Sequence, residues 1–177
     1  TTMVKCCLDT VMKTGILRSI VIQTVRKKIL LELAMLQMWK KNLNINITLQ
    51  NQEWKVYLDR QREMDYQISR AGWTGDYPDP NTFLDMWTSW SQQNQTGWAD
   101  PKYDALIRKA AITKDPNARL EVFQEAEEIL MDQLPIIPIY IYTRVYALHP
   151  AVKNWHANVL DHHPWKHIDL DLSLLKK

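Results

Sequence analysis

Residues 44–50 read NINITLQ, a stretch in which apolar residues alternate strictly with polar ones. Successive side chains of a β-strand point to opposite faces, so Ile45, Ile47 and Leu49 would share one face of an extended chain. This period of two predicts a strand with one buried face.

On both sides of this strand the spacing of apolar residues becomes helical. Leucine, methionine, alanine and lysine dominate residues 27–42 and predict a helix, and residues 53–64 predict a second one. Residues 65–73 read DYQISRAGW and predict a second strand. The order helix, strand, helix, strand indicates an α/β fold in which parallel strands are joined by a crossover helix.

The second half of the chain is punctuated by proline, glycine and aspartate. Residues 74–81 read TGDYPDPN, a loop rich in turn residues. Asp100 and Asp115 each precede a proline, and an N-cap followed by proline is a strong helix start. Pro138 indicates a sheet edge or a break, because proline donates no hydrogen bond to a ladder. The further predicted elements are a short helix over 82–87, helices over 100–113 and 115–133, a strand over 136–146 and a short strand over 168–172.

The composition excludes several classes of function. The 177 residues contain 22 Lys and Arg against 20 Asp and Glu, and the net charge of +2 is spread along the chain, so we expect no nucleic-acid partner. Four glycines form no phosphate-binding loop, and no hydrolase or metalloprotease motif occurs. We therefore expect no catalytic residue and no cofactor. The adjacent Cys6 and Cys7 lack the spacing of a zinc site, and the first residues show no signal-peptide pattern.

Several short motifs together resemble one protein family. In chain order they are QNQEW (50–54), RAGWTGDY (70–77), PNTFL (80–84), GW (97–98), YD (103–104), LI (106–107), AE (126–127), PIIPIY (135–140) and HPWK (163–166). Over about 27–172 the sequence resembles the C-terminal portion of periplasmic oligopeptide- and dipeptide-binding proteins. These are the family 5 extracellular solute-binding proteins of ABC peptide transporters.

The resemblance implies a partial lobe of a type II periplasmic-binding-protein-like fold, with a mixed sheet and flanking helices. In this family two α/β lobes close over an extended peptide, which is held by strand-like main-chain hydrogen bonds. The implied partners are an oligopeptide ligand, the ABC transporter permease subunits and the missing N-terminal lobe. The implied location is the periplasm or the cell surface.

The resemblance also assigns residues to peptide binding. They are Asp76, Arg70, Trp73, Trp54, Tyr142 and Gly72. Among them, Asp76 matches the carboxylate that pairs with the N-terminal ammonium of the peptide. The tryptophans and Tyr142 match aromatic residues that line the cleft.

Each assignment competes with an ordinary structural explanation. Asp76 lies beside glycine and near proline, where an aspartate commonly caps a turn. Arg70 alone would be read as an ion-paired or solvated strand residue. Trp54 and Trp73 would pack in a core or an interface more often than they would line a ligand site. Alternating tyrosines around Tyr142 are also typical of a half-buried sheet.

One position departs from the family pattern. Gln61, between Arg60 and Arg62, stands where oligopeptide binders carry an arginine available to the C-terminal end of the peptide. This leaves recognition of the far carboxylate, and therefore the preferred peptide length, open.

The C-terminal histidines offer an alternative chemistry. Imidazole and carboxylate are metal donors, and the cluster contains His162, His163, His167, Asp161 and Asp169. The same segment carries the HPWK motif of the family, which explains it without a metal. We therefore expect no metal site.

The resemblance divides the chain into three parts. Residues 1–26 match nothing in the family, residues 27–140 form the α/β peptide-binding lobe, and residues 141–177 form a return segment toward the missing lobe. We expect the first part to be an out-of-frame start, because a frame shifted by two bases permits Thr-Asn-Ser-Glu just before Lys27. Stop codons in that frame of the nucleotide sequence would contradict this expectation.

These observations lead to one functional interpretation and one alternative. The chain is interpreted as a fragment of the substrate-binding component of an ABC transporter, which binds oligopeptides for import and is not an enzyme. The alternative is a standalone protein-interaction module that reuses the lobe.

Overall fold

The computed structural model describes residues 2–6, 17–22, 26–141, 145–158 and 160–175, with side chains from residue 33 onward. The strands are β1 (Thr2–Cys6), β2 (Leu17–Ile22), β3 (Ile47–Gln52), β4 (Ile68–Gly72), β5 (Ile136–Tyr140), β6 (Val152–Lys153) and β7 (Asp169–Leu170). The α-helices are α1 (Arg26–Leu43), α2 (Trp54–Arg62), α3 (Asn81–Leu84), α4 (Pro101–Ile112) and α5 (Pro116–Gln133). Three 3₁₀ turns cover Asp85–Trp87, Trp165–His167 and Leu172–Leu174.

Strands β1 to β5 form one sheet in the order β3-β2-β4-β1-β5. β2 pairs in parallel with β3 and with β4, whereas β1 runs antiparallel to β4 and β5. Strands β2 to β5 therefore share one direction, which β1 opposes. The predicted crossover from β3 through α2 to β4 is confirmed, and β2 occupies the position between those two strands.

The N-terminal segment contributes two strands to this sheet. β1 lies between β4 and β5, with Thr2 opposite Gly72 and Lys5 opposite Ser69. β2 lies between β3 and β4. Such ladders need only main-chain groups, so a segment without family motifs can still form them. The expectation of a shifted reading frame concerns the nucleotide sequence and stays a prediction.

The two long C-terminal helices begin at their capping aspartates. The Asp100 carboxylate accepts hydrogen bonds from the amides of Lys102 and Tyr103 at 2.8 and 2.9 Å. Asp115 accepts one from the amide of Ala118 at 2.8 Å. The proline after each aspartate has no N–H, which the first helical residue would leave unpaired in any case. The predicted starts of α4 and α5 are confirmed.

The main core lies between α4, α5 and the 3₁₀ turn that follows α3. Trp87 and Tyr103 have no exposed surface, and the Tyr103 hydroxyl donates to the Leu84 carbonyl at 2.6 Å. Their buried neighbours are Leu84, Met86, Leu106, Ile107, Ala110, Val122, Phe123, Ala126, Leu130 and Ile136. Because Ile136 begins β5, this cluster connects the helices to the edge of the sheet.

β5 is an edge strand, as Pro138 predicts. It pairs with β1, placing Met3 opposite Pro138, and the described strand ends at Tyr140 rather than at residue 146. Tyr142, one of the residues assigned to peptide binding, lies outside the described residues. The predicted strand over 168–172 is present as the shorter β7, which pairs antiparallel with β6.

Candidate functional site

The carboxyl ends of the parallel strands lie along one edge of the five-stranded sheet. Thr2 is opposite both Gly72, the last residue of β4, and Tyr140, the last residue of β5. Ile22 is opposite Gln52, so β2 and β3 also end together. Ligands of open α/β sheets commonly bind outside this edge, because loops from several strands converge there.

Four of the residues that the sequence assigns to peptide binding lie at or just after the strand ends on this edge. Trp54 follows the end of β3, and Gly72 ends β4. Trp73 and Asp76 belong to the loop that leaves β4. Tyr142, outside the described residues, comes two positions after the end of β5. The assigned roles stay predictions, since strand direction brings these positions to one edge without showing a ligand.

Arg70 is a buried residue of β4 that is hydrogen-bonded to α2. It is 9% exposed, and its backbone carbonyl accepts a 2.7 Å hydrogen bond from the Tyr57 hydroxyl. Burial raises the pKa of Tyr57 to about 12. Trp54 stacks on Tyr57 with ring centroids 5.5 Å apart, so the exposed tryptophan is connected to β4 through the buried tyrosine.

Gln61 has a structural role beneath β4. Its side chain is buried, and its Nε2 donates a 2.7 Å hydrogen bond to the Ser69 hydroxyl. The neighbouring arginines pair locally: Arg60 Nε lies 2.7 Å from the Asp65 carboxylate, and Arg62 lies 3.3 Å from Asp59. In this conformation Gln61 therefore belongs to the interior rather than to a surface that receives a carboxylate.

Asp76 is exposed in the loop between β4 and α3. Its amide donates a 3.1 Å hydrogen bond to the hydroxyl of Thr82, which is buried. Within the described part of the chain, no group donates a hydrogen bond to the Asp76 carboxylate. Gly75 approaches α3 closely, because a Cβ there would lie 3.1 Å from side-chain atoms of Thr82 and Phe83. The loop therefore holds the Asp76 backbone and leaves its carboxylate available.

A second carboxylate lies near Asp76. Asp85 Oδ2 accepts a 2.8 Å hydrogen bond from the side-chain Nδ2 of Asn81 and a 3.4 Å one from the Tyr77 hydroxyl. Burial raises the pKa of Asp85, the two hydrogen bonds oppose that rise, and the negative charge of Asp76 adds to it. The loop is therefore negatively charged on the side where Asp76 is exposed.

The same loop is bound to α5 by a bidentate ion pair. Arg119 Nη1 and Nη2 lie 2.6 and 3.0 Å from the two carboxylate oxygens of Asp79. Hydrogen bonding to Arg119 holds the pKa of Asp79 below its ordinary value. Sequence reasoning missed this pair. The sequence around Asp79 predicts a turn, but no pattern near position 119 predicts an ion pair with a residue 40 positions away.

A cleft in the C-terminal segment contains none of the residues assigned to peptide binding. It has a volume of about 460 Å³ and is lined by Asn154, Trp155, His156, Asn158, His162, His163, Pro164, His167 and Ile168. His163 stacks on Trp155 at 3.7 Å and lies 2.9 Å from Asp161. Among the described residues, no group of three or more His, Cys, Asp or Glu is arranged to hold a metal ion.

The architecture is that of one class of binding protein. The chain superimposes on OppA from Haemophilus influenzae in its complex with RPPGFSPFR, with a TM-score of 0.77 and 30% identity. The match covers 88% of this chain and 31% of that one. The protein therefore has part of a type II periplasmic-binding-protein fold, and the predicted fold class is confirmed.

Sequence comparison defines the family. The profile described as bacterial extracellular solute-binding proteins, family 5 Middle, matches residues 23–95. The chain is 41% identical over 115 residues to the oligopeptide-binding protein OppA of Bacillus subtilis (strain 168), covering 64% of this chain and 21% of that protein. It is 40% identical over 126 residues to the periplasmic murein peptide-binding protein MppA of Escherichia coli (strain K12), covering 71% and 24%. These matches support a family 5 extracellular solute-binding protein over part of the chain, and the chain spans less than a quarter of the length of these two relatives.

None of the helices in the described residues combines the length and the apolar character that crossing a bilayer requires.

Proposed function

We propose that this chain forms the part of an ABC-transporter substrate-binding protein that holds the N-terminal end of an imported oligopeptide. The observation that carries the proposal is the Asp76 carboxylate. It is exposed, receives no hydrogen bond from the described residues, and stands in the loop that leaves the carboxyl edge of the sheet. Family membership and the peptide-binding names of the relatives support the choice of ligand.

An ionised carboxylate suits a peptide ammonium for a physical reason. An ammonium removed from water needs a charged acceptor, and a hydrogen bond of this kind contributes about 1.5–3 kcal/mol. The Asp76 amide is already bound by Thr82, so the carboxylate can face a ligand without losing the turn. The nearby charge of Asp85 further favours a cation at this position.

The remaining assigned residues form the rest of the proposed cleft. Trp54, which is exposed, and Trp73, which also packs against the main core, provide aromatic side chains after β3 and β4, and Tyr142 is assigned from the sequence alone. Arg70, which is buried, and Gly72 belong to the wall formed by β4. An extended peptide along this edge would be recognised by main-chain hydrogen bonds, with its side chains left largely unselected.

The proposal includes partners that are outside this chain. A closed cleft needs the second lobe, and import needs the permease subunits of the transporter. By analogy with relatives named as periplasmic, we place the protein in the periplasm or at the cell surface. The proposed role is binding and delivery, without catalysis.

The test compares a free and an N-acetylated peptide in a two-lobed protein. In the test protein, residues 27–175 of this chain replace the matching part of E. coli MppA. Calorimetry measures its affinity for trialanine and for N-acetyl-trialanine. Asp76→Asn should weaken trialanine binding about ten- to a hundredfold and hardly affect the acetylated peptide, because only trialanine carries the ammonium. The control Asp132→Asn changes another exposed carboxylate on α5 and should change neither affinity.

Two outcomes would contradict the proposal. Equal losses for both peptides would mean that Asp76 acts on the fold rather than on the ammonium, and no loss for either would mean that it caps a turn. The 177-residue chain alone, with one wall, should bind trialanine more weakly than micromolar, because main-chain hydrogen bonds that face water contribute little.

A further inference from the structure

An ion pair joins the loop that carries Asp76 to α5. Arg119 on α5 reaches both carboxylate oxygens of Asp79, and the two side chains are 27% and 30% exposed. A bidentate guanidinium–carboxylate contact fixes an orientation as well as a distance. The pair therefore holds Asp79 in one rotation relative to α5.

Arg119 is itself held from two further directions. Its Nε donates a 3.2 Å hydrogen bond to the carbonyl of Ala110 in the last turn of α4. Its guanidinium carbon lies 4.5 Å from the ring centroid of Phe123, which is buried in the core. An arginine that contacts a helix end, a core aromatic ring and a carboxylate has little freedom, so it transmits the position of the core to the loop.

A short chain of hydrogen bonds leads from Asp79 to Asp76. The Asp79 carbonyl accepts from the amide of Thr82 at 3.3 Å, and the Thr82 hydroxyl accepts from the amide of Asp76 at 3.1 Å. The Asp79 carboxylate also accepts from the amide of Asn81 at 2.9 Å. Thr82, which is buried, therefore links the Asp79 carbonyl directly to the Asp76 amide.

We propose that Arg119 is a positioning residue for Asp76: it holds Asp79, and through Asp79 and Thr82 it keeps the Asp76 carboxylate oriented toward an incoming ammonium. The inference rests on the proposed function for its ligand. Without Arg119 the loop keeps its sequence and its charge but loses the contact that orients it. Arg119 touches no ligand in this proposal and acts only through Asp79.

The test uses the 177-residue chain and two readouts. Arg119→Gln removes the bidentate contact, and Arg108→Gln is the matched control, because Arg108 on α4 contacts the exposed ring of Trp90 at 4.1 Å instead of a loop carboxylate. Hydrogen exchange by NMR should show the Asp76 amide exchanging about fivefold faster, relative to core amides such as Ala110, only in Arg119→Gln. Titration with trialanine and N-acetyl-trialanine, followed at the same amide, should show a reduced preference for the free peptide.

The outcomes separate the inference from the function on which it rests. If Arg119→Gln lowers the unfolding temperature but leaves Asp76 exchange and peptide preference unchanged, Arg119 only stabilises the fold and the inference is wrong. If the wild-type chain binds both peptides with equal measurable affinity, the proposed ammonium site is wrong, while Asp76 exchange still decides whether Arg119 positions the loop. Should Arg119→Gln not fold, Asp79→Asn removes the same contact from the other side and should raise Asp76 exchange equally; unchanged exchange there overturns the inference.

Discussion

The hydroxyl of Tyr57 on α2 donates a 2.7 Å hydrogen bond to the carbonyl of Arg70 on β4. Both residues are buried, and the exposed ring of Trp54 stacks on the tyrosine. Two elements at the candidate site, α2 and β4, therefore share one polar contact. α2 supports the strand from which the Asp76 loop emerges.

Tyr57→Phe should lower the free energy of unfolding by about 1–2 kcal/mol, because it leaves the buried Arg70 carbonyl without its hydroxyl donor. Urea denaturation followed by tryptophan fluorescence measures the loss. Tyr146→Phe is the control: Tyr146 is exposed and contacts Trp155 through its ring. Equal stabilities of Tyr57→Phe and the wild type would show that water replaces the hydroxyl without cost.

The titration of Asp85 should report the charge on Asp76. Burial raises the pKa of Asp85, and the nearby negative charge of Asp76 raises it further. Asp76→Asn removes that charge, so the pKa of Asp85 should fall toward its ordinary value of 3.8. The chemical shift of the Asp85 carboxyl carbon, followed by NMR as a function of pH, measures this pKa. Asp59→Asn is the control. An unchanged Asp85 pKa would place Asp76 too far away to influence it.

The Asp79–Arg119 pair should stabilise the fold at neutral pH and lose that effect in acid. Hydrogen bonding to Arg119 lowers the pKa of Asp79 below its ordinary value of 3.8. The stabilisation is therefore fully present above 3.8 and disappears as pH falls through the lowered pKa. Asp79→Asn should lower the free energy of unfolding at pH 7 by only about 1 kcal/mol in urea denaturation, because the ion pair is partly exposed. The difference in the free energy of unfolding between variant and wild type should disappear below the lowered pKa. A constant difference from neutral pH into strong acid would contradict the ion-pair explanation.

The C-terminal segment should promote self-association of this chain. Ile141, Val145 and Trp165 are 76%, 93% and 80% exposed, and β5 is an edge strand beside the first of them. Exposed apolar side chains next to an unpaired edge favour contacts between copies. Light scattering should detect oligomers that Ile141→Lys reduces, whereas Ile112→Lys, at an equally exposed position on α4, should not. A monomer at high concentration would mean that the segment folds back and is covered.

Local sequence patterns predicted the helices and strands for identifiable reasons. Asp100 and Asp115 bind amides two or three residues away, so the signal and the structure that it predicts lie within one helical turn. The alternation in residues 44–50 predicts β3 because side-chain period depends only on backbone geometry. The strand nevertheless runs from Ile47 to Gln52, since its ends are decided by pairing with β2.

The motif RAGWTGDY also predicted a strand followed by the loop that carries Asp76, and the structure has both. It continues from a strand into a turn-rich loop, and both are local features. The motif did not show that Arg70 and Gln61 are buried, because burial depends on α2 packing against β4. The resemblance matched Gln61 to a family arginine that is available to the C-terminal end of the peptide. In the structure its hydrogen bond to Ser69 assigns Gln61 to the interior.

By itself the sequence determined the α/β class, the capped helices, the edge character of the strand with Pro138, and the loop that bears Asp76. Only the tertiary structure decided that β2 lies between β3 and β4, that the ends of four parallel strands share one edge, and that Arg119 holds Asp79. The physical reason is range. Capping, turn geometry and side-chain periodicity act over a few residues, whereas an ion pair between residues 40 apart exists only after α4 and α5 have packed and brought the arginine to the loop.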